Sequence, residues 1–267
     1  MLTRAIYGAI FVIVLISAYL GSVESAWALT VLISFLGFAE FSRITRDNKS
    51  IKISPLWWIT LMLFAFDTEP FGIISEYTSI PLSSFNLLLI PVIAIQELFR
   101  KGENPVENIA FGFLSVIYPS LIYFSYLSGF DSQNFNGTTI IGFFILIWSN
   151  DTFAYLSGRF FGKTKLFERI SPKKTWEGSI GGALCTIGIS QILAQFYTQF
   201  TSIEWIVISI ICVLFGAFGD LVESLIKRNY QIKDSGNLIP GHGGILDRFD
   251  ATLLASPVLY FFIHYFI

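Results

Sequence analysis

The sequence predicts an all-α integral membrane protein with about nine transmembrane helices. Three observations carry that expectation: a shortage of charge, apolar runs along the whole chain, and basic residues that fall on alternate connections only. Of 267 residues, 54% are hydrophobic and 13% charged, and the mean hydropathy is +0.66. A soluble domain carries about a quarter charged residues, so this chain lacks the polar surface to cover a water-soluble globule of its size. The composition excludes a disulfide-stapled secreted domain, a disordered chain and an ordinary cytosolic enzyme. Cys185 and Cys212 lie inside apolar runs, away from any metal-ligand spacing, and read as small buried hydrophobes.

Taken in order, the apolar runs cover approximately 5–22, 25–42, 54–68, 84–99, 108–127, 138–158, 178–198, 203–226 and 250–267. The first follows Arg4 and could pass for a signal peptide. It reads as a retained span, because no small-x-small cleavage site follows and the next run begins almost at once. Several runs fall short of the ~20 residues that cross a ~30 Å hydrocarbon core, and the third, around Trp57 and Trp58, is the least secure. In lipid a segment must satisfy its own backbone hydrogen bonds, so the runs are expected to be helices. No period-two alternation points to a barrel.

With nine crossings, all 17 Lys and Arg residues fall on one side of the membrane. Arg4, the group Arg43 to Lys52, Arg100 and Lys101, the group Arg159 to Lys174, and the group Lys227 to Arg248 share that side. Glu24, Asp67, Glu69, Glu76, Asp131 and Glu204 share the other. Basic residues resist translocation, so the N-terminus is expected in the cytoplasm and the C-terminus outside it. Adding or removing one internal span would scatter them. The expected organisation is one polytopic domain over 1–267. Residues 1–135 would be a scaffold for dimerisation and lipid contact, and 136–267 would hold the catalytic helices and long cytoplasmic loops. No internal repeat supports an inverted-repeat transporter.

The densest chemistry begins in the eighth run. Asp220, Glu223, Ser224 and Lys227 stand at i, i+3, i+4 and i+7 and share one helical face. A carboxylate at membrane depth is costly unless paired, hydrated or bound to a cation. Glu223 and Lys227 can form an i,i+4 pair, which leaves Asp220, one turn deeper, to be explained by function. Lys233, Asp234, Ser235 and Gly236 follow, then Pro240-Gly241-His242-Gly243-Gly244 and Asp247-Arg248-Phe249-Asp250. Glycines let backbone N–H groups approach a phosphate closely, and Lys227, Arg228, Lys233 and Arg248 can neutralise its oxygens. Asp250 suits either capping of the last helix or catalysis. His242 suits a phosphate contact or a turn better than a metal.

The connection after the sixth run repeats the theme. Asn150 and Asp151 sit within an apolar run, with Tyr155 and Arg159 at four-residue steps. Lys163, Lys165 and Arg169 follow, for which contact with anionic head groups is the plain alternative. Lys173 and Lys174, between Pro172 and the next helix start, are better placed for substrate. Glu40 with Arg43, and Glu97 with Arg100 or Lys101, read as helix-end pairs worth tenths of a kcal/mol. Asn136-Gly137-Thr138 matches a glycosylation acceptor, a match that is usually idle.

Aspartates without a His or Cys cluster suit a hard cation such as Mg2+, held by one or two carboxylates and by substrate phosphates. Surplus Lys and Arg suit a polyphosphate. No GxxxxGK[ST] loop, Ser-His-Asp pattern or HExxH occurs. The residues therefore point to metal-dependent phosphoryl or nucleotidyl transfer to a lipid at the cytoplasmic face. A polyprenol kinase and an anion transporter are the alternatives. The gathering of charge on one face argues against the transporter.

The stretch Ser224-x2-Lys227-Arg228-x4-Lys233-Asp234-x-Gly236-x2-Ile239-Pro240-x-His242-Gly243-Gly244-x2-Asp247-Arg248-x-Asp250 resembles the signature of the phosphatidate cytidylyltransferases, or CDP-diacylglycerol synthases. Ser171-Pro172-Lys173-Lys174-Thr175-x-Glu177-Gly178 and Asp151-x-Phe153-Ala154-Tyr155 are also similar to that family. The resemblance covers the C-terminal half well, while the first four runs match only in being apolar. It implies that CTP and phosphatidate give CDP-diacylglycerol and pyrophosphate for phospholipid synthesis. It implies Mg2+ and admits a second, monovalent cation such as K+. The metal-binding aspartates would be Asp220 and Asp247, with Lys227 and Lys233 among the catalytic residues. Asp151 and Glu223 would be polar partners, while Lys173, Lys174, Arg228, His242, Gly243, Gly244 and Arg248 surround the substrates. The resemblance further implies a homodimer in the inner cell membrane, among membrane lipids and without a nucleic-acid partner.

Overall fold

Each apolar run contains a helix in the computed structural model, which describes residues 2–49, 51–66, 82–100, 104–131, 134–241 and 243–267. In chain order these are α1 (Leu2–Gly21), α2 (Val23–Lys49), α3 (Leu56–Phe66), α4 (Asn86–Phe99), α5 (Pro105–Ser120), α6 (Tyr123–Leu127), α7 (Gly137–Phe161), α8 (Trp176–Phe196), α9 (Ser202–Asn229) and α10 (Leu246–Phe266). By length and composition, six helical stretches among the described residues can cross a membrane: 23–46, 105–127, 137–161, 176–196, 202–229 and 246–266. Those at 5–21, 56–65 and 86–99 are shorter. The end of the expected third span, with Asp67, and the outer-side Glu69 and Glu76 lie outside the described residues, as does Lys101.

Side-chain caps mark where α7, α8 and α9 begin. Asn136 caps α7 by accepting the Thr138 amide, which gives the Asn-Gly-Thr match a structural purpose. Thr175 caps α8 through the Gly178 amide, and Thr201 with Glu204 forms a capping box on α9. Pro119, near the end of α5, precedes the break between α5 and α6, since a proline cannot donate to the helical ladder. Its carbonyl accepts from the buried Ser34 hydroxyl at 3.4 Å.

The connection between α7 and α8, expected as a basic loop, is a short hairpin in which β3 (Lys165–Phe167) pairs antiparallel with β4 (Ser171–Thr175). Its strands are too short for a readable alternation, and the adjacent Lys173 and Lys174 obscure what alternation exists. A second, two-residue pairing joins β1 (Phe130–Asp131) to β2 (Asn134–Phe135).

Three apolar clusters hold the helices together. Phe38, Trp57, Leu61, Ile93 and Val116 pack α2, α3, α4 and α5. Phe143, Leu146, Trp205, Cys212 and Leu259 pack α7, α9 and α10, with Leu193 from α8. Tyr19, Phe41, Tyr126, Phe144 and Phe249 join the two halves. The outer faces carry exposed apolar side chains such as Leu184, Phe196, Leu214 and Phe218. Contiguous exposure of that kind suits lipid contact.

Candidate active site

The site is built where α7 and α8 approach each other through small residues. A Cβ at Gly178 would stand 2.8 Å from the Ala154 carbonyl oxygen, and one at Gly182 would stand 2.9 Å from the Ala154 Cβ. Any larger side chain would force the helices apart, as in the small-xxx-small contacts of membrane helices. Where they diverge, α7, α8, α9 and β4 enclose a cavity of about 360 Å3. That lies within the ~300–1,000 Å3 of small-molecule sites.

Asp151, Tyr155 and Arg159 enter this cavity from α7, Lys173 and Lys174 from β4, and Asp220 from α9. The i, i+4, i+8 steps along α7 place its three on one face. Lys174 Nζ lies 2.5 Å from Asp220 Oδ2, and Ser224 donates to Asp220 Oδ1 at 3.2 Å. The Asp220 side chain remains 34% exposed. Asp250 stands behind it: a Cβ at Gly219 would come within 2.3 Å of the Asp250 carbonyl oxygen, so α9 and α10 nearly touch at this level. Asp151, Asp220 and Asp250 lie within electrostatic range of one another, with Lys174, Arg248 and Lys227 as the opposing cations.

A second, buried cluster lies one to two turns along α9. Lys227 Nζ ion-pairs with Glu223 Oε2 and reaches Asp247 Oδ1 at 2.7 Å. Asp247 Oδ2 accepts the Ser235 amide at 2.8 Å, the Ser235 hydroxyl at 2.9 Å and the Gly244 amide at 2.8 Å. Asp247 therefore ties the segment 235–244 to α9. Gly243 makes this possible, since its φ of +82° favours glycine and a Cβ there would stand 2.5 Å from Asp247 Oδ2.

The structure thus sorts the expected residues into groups. Asp151, Asp220, Lys173 and Lys174 share the cavity. Glu223, Lys227, Asp247 and Gly244 form the buried brace beside it. Arg228 turns to the carbonyls of Ile170 at 3.5 Å and Ile232 at 3.4 Å, which links α9 to the hairpin. Lys233 and Arg248 are exposed, and His242 lies outside the described residues. Asp250 does not cap α10, because the Ile245 and Leu246 amides are taken by Glu40 at 2.8 and 3.0 Å. Glu40 also accepts the Ser235 hydroxyl at 3.1 Å.

Sequence reasoning missed this reach of Glu40 across the molecule; the signal was a carboxylate close to an apolar helical run, where it needs partners. It also missed Tyr118, whose buried hydroxyl has no hydrogen-bond partner among the described residues and lies within electrostatic range of Glu223, Asp250 and Asp220. The G-x-x-x-G spacing of Gly178 and Gly182 was a readable signal for the α7–α8 contact.

A half-open cavity with cations opposite carboxylates, on the segments that carry the motifs, is arranged for a phosphorylated substrate. A family model described as the cytidylyltransferase family matches residues 2–266. The chain belongs to that family. As a cytidylyltransferase it is a nucleotidyl-transferring enzyme. It is 34% identical over 245 residues to a phosphatidate cytidylyltransferase of Bacillus subtilis, covering 89% of each chain. It is 36% identical to one of Rickettsia felis, over 82% of this chain and 94% of the other. A third, from Staphylococcus haemolyticus, is 44% identical over 60% of each.

The site's chemistry suits a hard cation without enclosing one. Its ligating side chains are carboxylates, and among the described residues no group of three or more His, Cys, Asp and Glu is arranged to hold a metal alone. Mg2+ takes one or two carboxylates and completes its shell with phosphates and water. Asp220, exposed to the cavity, fits such a role. On Asp247, Oδ2 is filled by three donors, whereas Oδ1 carries one, Lys227. Oδ1 is thus the less saturated oxygen of Asp247.

Proposed function

We propose that the protein transfers the cytidylyl group of CTP to phosphatidate, releasing pyrophosphate and forming CDP-diacylglycerol for phospholipid synthesis. The observation that carries this reading is the cavity in which Lys173 and Lys174 face Asp151 and Asp220. Curated relatives that match most of this chain are named for that activity. The basic residues that flank this end of α7, β4 and α9 support a reaction at the cytoplasmic face of the inner membrane. The homodimer and nine crossings of the sequence reading remain part of the proposal.

Lys173 and Lys174 bind the triphosphate, where two ammonium groups hold anionic oxygens as point charges. The phosphate monoester of phosphatidate attacks the α-phosphorus. One P–O bond forms there as the bond to the β-phosphate oxygen breaks, and pyrophosphate departs. With a second pKa of about 6, the monoester is already largely ionised near neutral pH, so no general base is required. Asp220 and Asp247 are the residues that would hold Mg2+, which would supply charge neutralisation. Lys227 holds Asp247 in position and balances Glu223. Asp250 and Asp151 keep the acidic wall that orients the cationic partners.

The test is direct. Purified protein in phosphatidylcholine nanodiscs, given labelled CTP, phosphatidate and Mg2+, is expected to release pyrophosphate and form labelled CDP-diacylglycerol. Asp220→Ala and Asp247→Ala are each expected to abolish this. Retained activity in both variants would remove the metal assignment, and phosphate transfer to a polyprenol hydroxyl instead would overturn the reaction.

A further inference from the structure

The active-site cavity grades from a charged mouth to an uncharged inner end. Arg159, Lys173, Lys174 and Asp220 line the mouth, whereas Asn150, Val213 and Ala217 line the inner end. Asp151 stands between, within electrostatic range of Asp220, Lys174 and Arg248. Gly142 of α7 meets Trp205 of α9, where a Cβ would stand 2.6 Å from the ring. Counting eight residues along each helix from that contact puts Asn150 level with Val213. Asp220 lies seven residues beyond Val213, about 10 Å nearer the mouth by the rise of an α-helix. Asn150 is near the middle of α7, a helix long enough to cross the membrane, so the inner end points to the bilayer interior.

Two observations bear on what the inner end holds. Asn150 is 7% exposed, and its buried Oδ1 has no hydrogen-bond partner among the described residues. That oxygen is turned towards α8, since a Cβ at Gly182 would stand 2.9 Å from it. The amide nitrogen, on the other branch of the same planar group, is left to the cavity that Asn150 lines. Buried amides are nearly always hydrogen-bonded, so an amide in this wall calls for an occupant that accepts its protons. Independently, Leu214 and Phe218, each next in sequence to a lining residue of α9, are 51% and 57% exposed. The apolar lining therefore continues onto the lipid-facing surface, along which an acyl chain can run.

We infer, on the reading of this cavity as the site of cytidylyl transfer to phosphatidate, that Asn150 is a specificity-determining residue for the lipid. Its amide donates to an ester carbonyl of the diacylglycerol part, and the acyl chain leaves past Ala217 and Val213 to the bilayer. An ester carbonyl is a neutral acceptor, matched to a neutral donor set among apolar neighbours. In such a lipid the esters lie on the membrane side of the phosphate, as Asn150 lies on the membrane side of the Lys174–Asp220 pair. A nucleotide enters from water and finds its cations at the mouth. Its base would have to pass the lysines that hold its own phosphates to reach an end that opens on lipid.

The test compares diacyl phosphatidate with its dialkyl ether analogue, which keeps the phosphate and the chains but lacks both carbonyls. The full chain and Asn150→Leu, in phosphatidylcholine nanodiscs, are each given either lipid with labelled CTP and Mg2+. The wild type is expected to use the diacyl lipid about tenfold better in kcat/KM, the scale of one hydrogen bond whose donor is left unpaired. Asn150→Leu is expected to raise the KM for diacyl phosphatidate about tenfold and to bring the two lipids within about twofold of each other. The KM for CTP is expected to stay within about twofold. The variant is expected to melt at or above the wild-type temperature, whereas a purely structural role would lower it. If Asn150→Leu does not fold, Asn150→Ala is read in the same way. An unchanged preference between the lipids would overturn the assignment. So would a raised KM for CTP with that for the lipid unchanged, which would give the amide to the nucleotide. Native mass spectrometry of lipid retention without CTP reads the same preference apart from turnover. A wild type that retains the diacyl lipid selectively but releases no pyrophosphate therefore fails the proposed reaction and not this contact.

Discussion

Replacing Lys227 by methionine tests the buried brace beside the active-site cavity. The Lys227 side chain is 12% exposed and touches two carboxylates, Glu223 at 2% and Asp247 at 7% exposure. Removing the shared cation from a buried ion pair leaves uncompensated charge and costs about 3–5 kcal/mol. For a chain of this length each kcal/mol lowers the melting temperature by roughly 2–4 °C, so a fall of roughly 6–20 °C is expected. Asp247 keeps three donors on Oδ2, whereas Glu223 loses the cation beside it. Lys227→Met/Glu223→Gln removes that charge, and about half of the lost stability is expected to return. Thermal unfolding in nanodiscs, followed by tryptophan fluorescence, measures both variants. A single variant that melts within 2 °C of the wild type, or a double variant no better than the single, would refute the reasoning.

Asp220→Asn is expected to leave the melting temperature nearly unchanged, because its pair with Lys174 is half-exposed and worth at most about 1 kcal/mol. Its rate of pyrophosphate release is expected to fall about 10²–10³-fold, the scale of losing one preorganised electrostatic group. Lys174→Met is expected to raise the KM for CTP more than it lowers kcat, as steady-state kinetics will show, since Lys174 binds the triphosphate in ground and transition states alike. Glu40→Gln is expected to cost about 1–2 kcal/mol by thermal unfolding, because one of the oxygens that accept the α10 amides becomes an N–H donor. Gly178→Val is expected to destabilise by about 1–3 kcal/mol, read the same way, since a Cβ there already crowds the Ala154 carbonyl.

Helices were legible because hydrocarbon leaves the backbone of an apolar run no other partner, and each of the nine runs contains one. Asp220, Lys173 and Lys174 were legible because charge beside or within an apolar run demands an explanation, and the cavity brings them together. Distances between elements were not legible. The three hydrogen bonds that Asp247 accepts from Ser235 and Gly244 could not be read from spacing, since they depend on how a glycine-rich turn closes. Glu40 shows the same limit: its nearest basic neighbour in sequence is Arg43, yet it caps a helix more than 200 residues away. Local pairing rules rank partners by spacing along the chain, and buried carboxylates are satisfied by whatever donors packing brings to them.

The N-terminal half, featureless by motif, therefore has a physical part in the site. α10 begins at Leu246 with no side-chain cap of its own, so its first amides would be orphaned beside the catalytic segment. Glu40 supplies the missing acceptors from α2, and α2 is anchored through Phe38 and Phe41 in two apolar clusters. Asp247 and Ser235 are consequently held from both sides, by Lys227 of the C-terminal half and by Glu40 of the N-terminal half. Carboxylates that must face phosphates without collapsing onto neighbouring lysines need such a frame, because a loop at a membrane surface would otherwise relax into the nearest ion pair. The early helices carry no motif legible in the sequence because this task asks little of them: one acid at the right height, and lipid-compatible packing elsewhere.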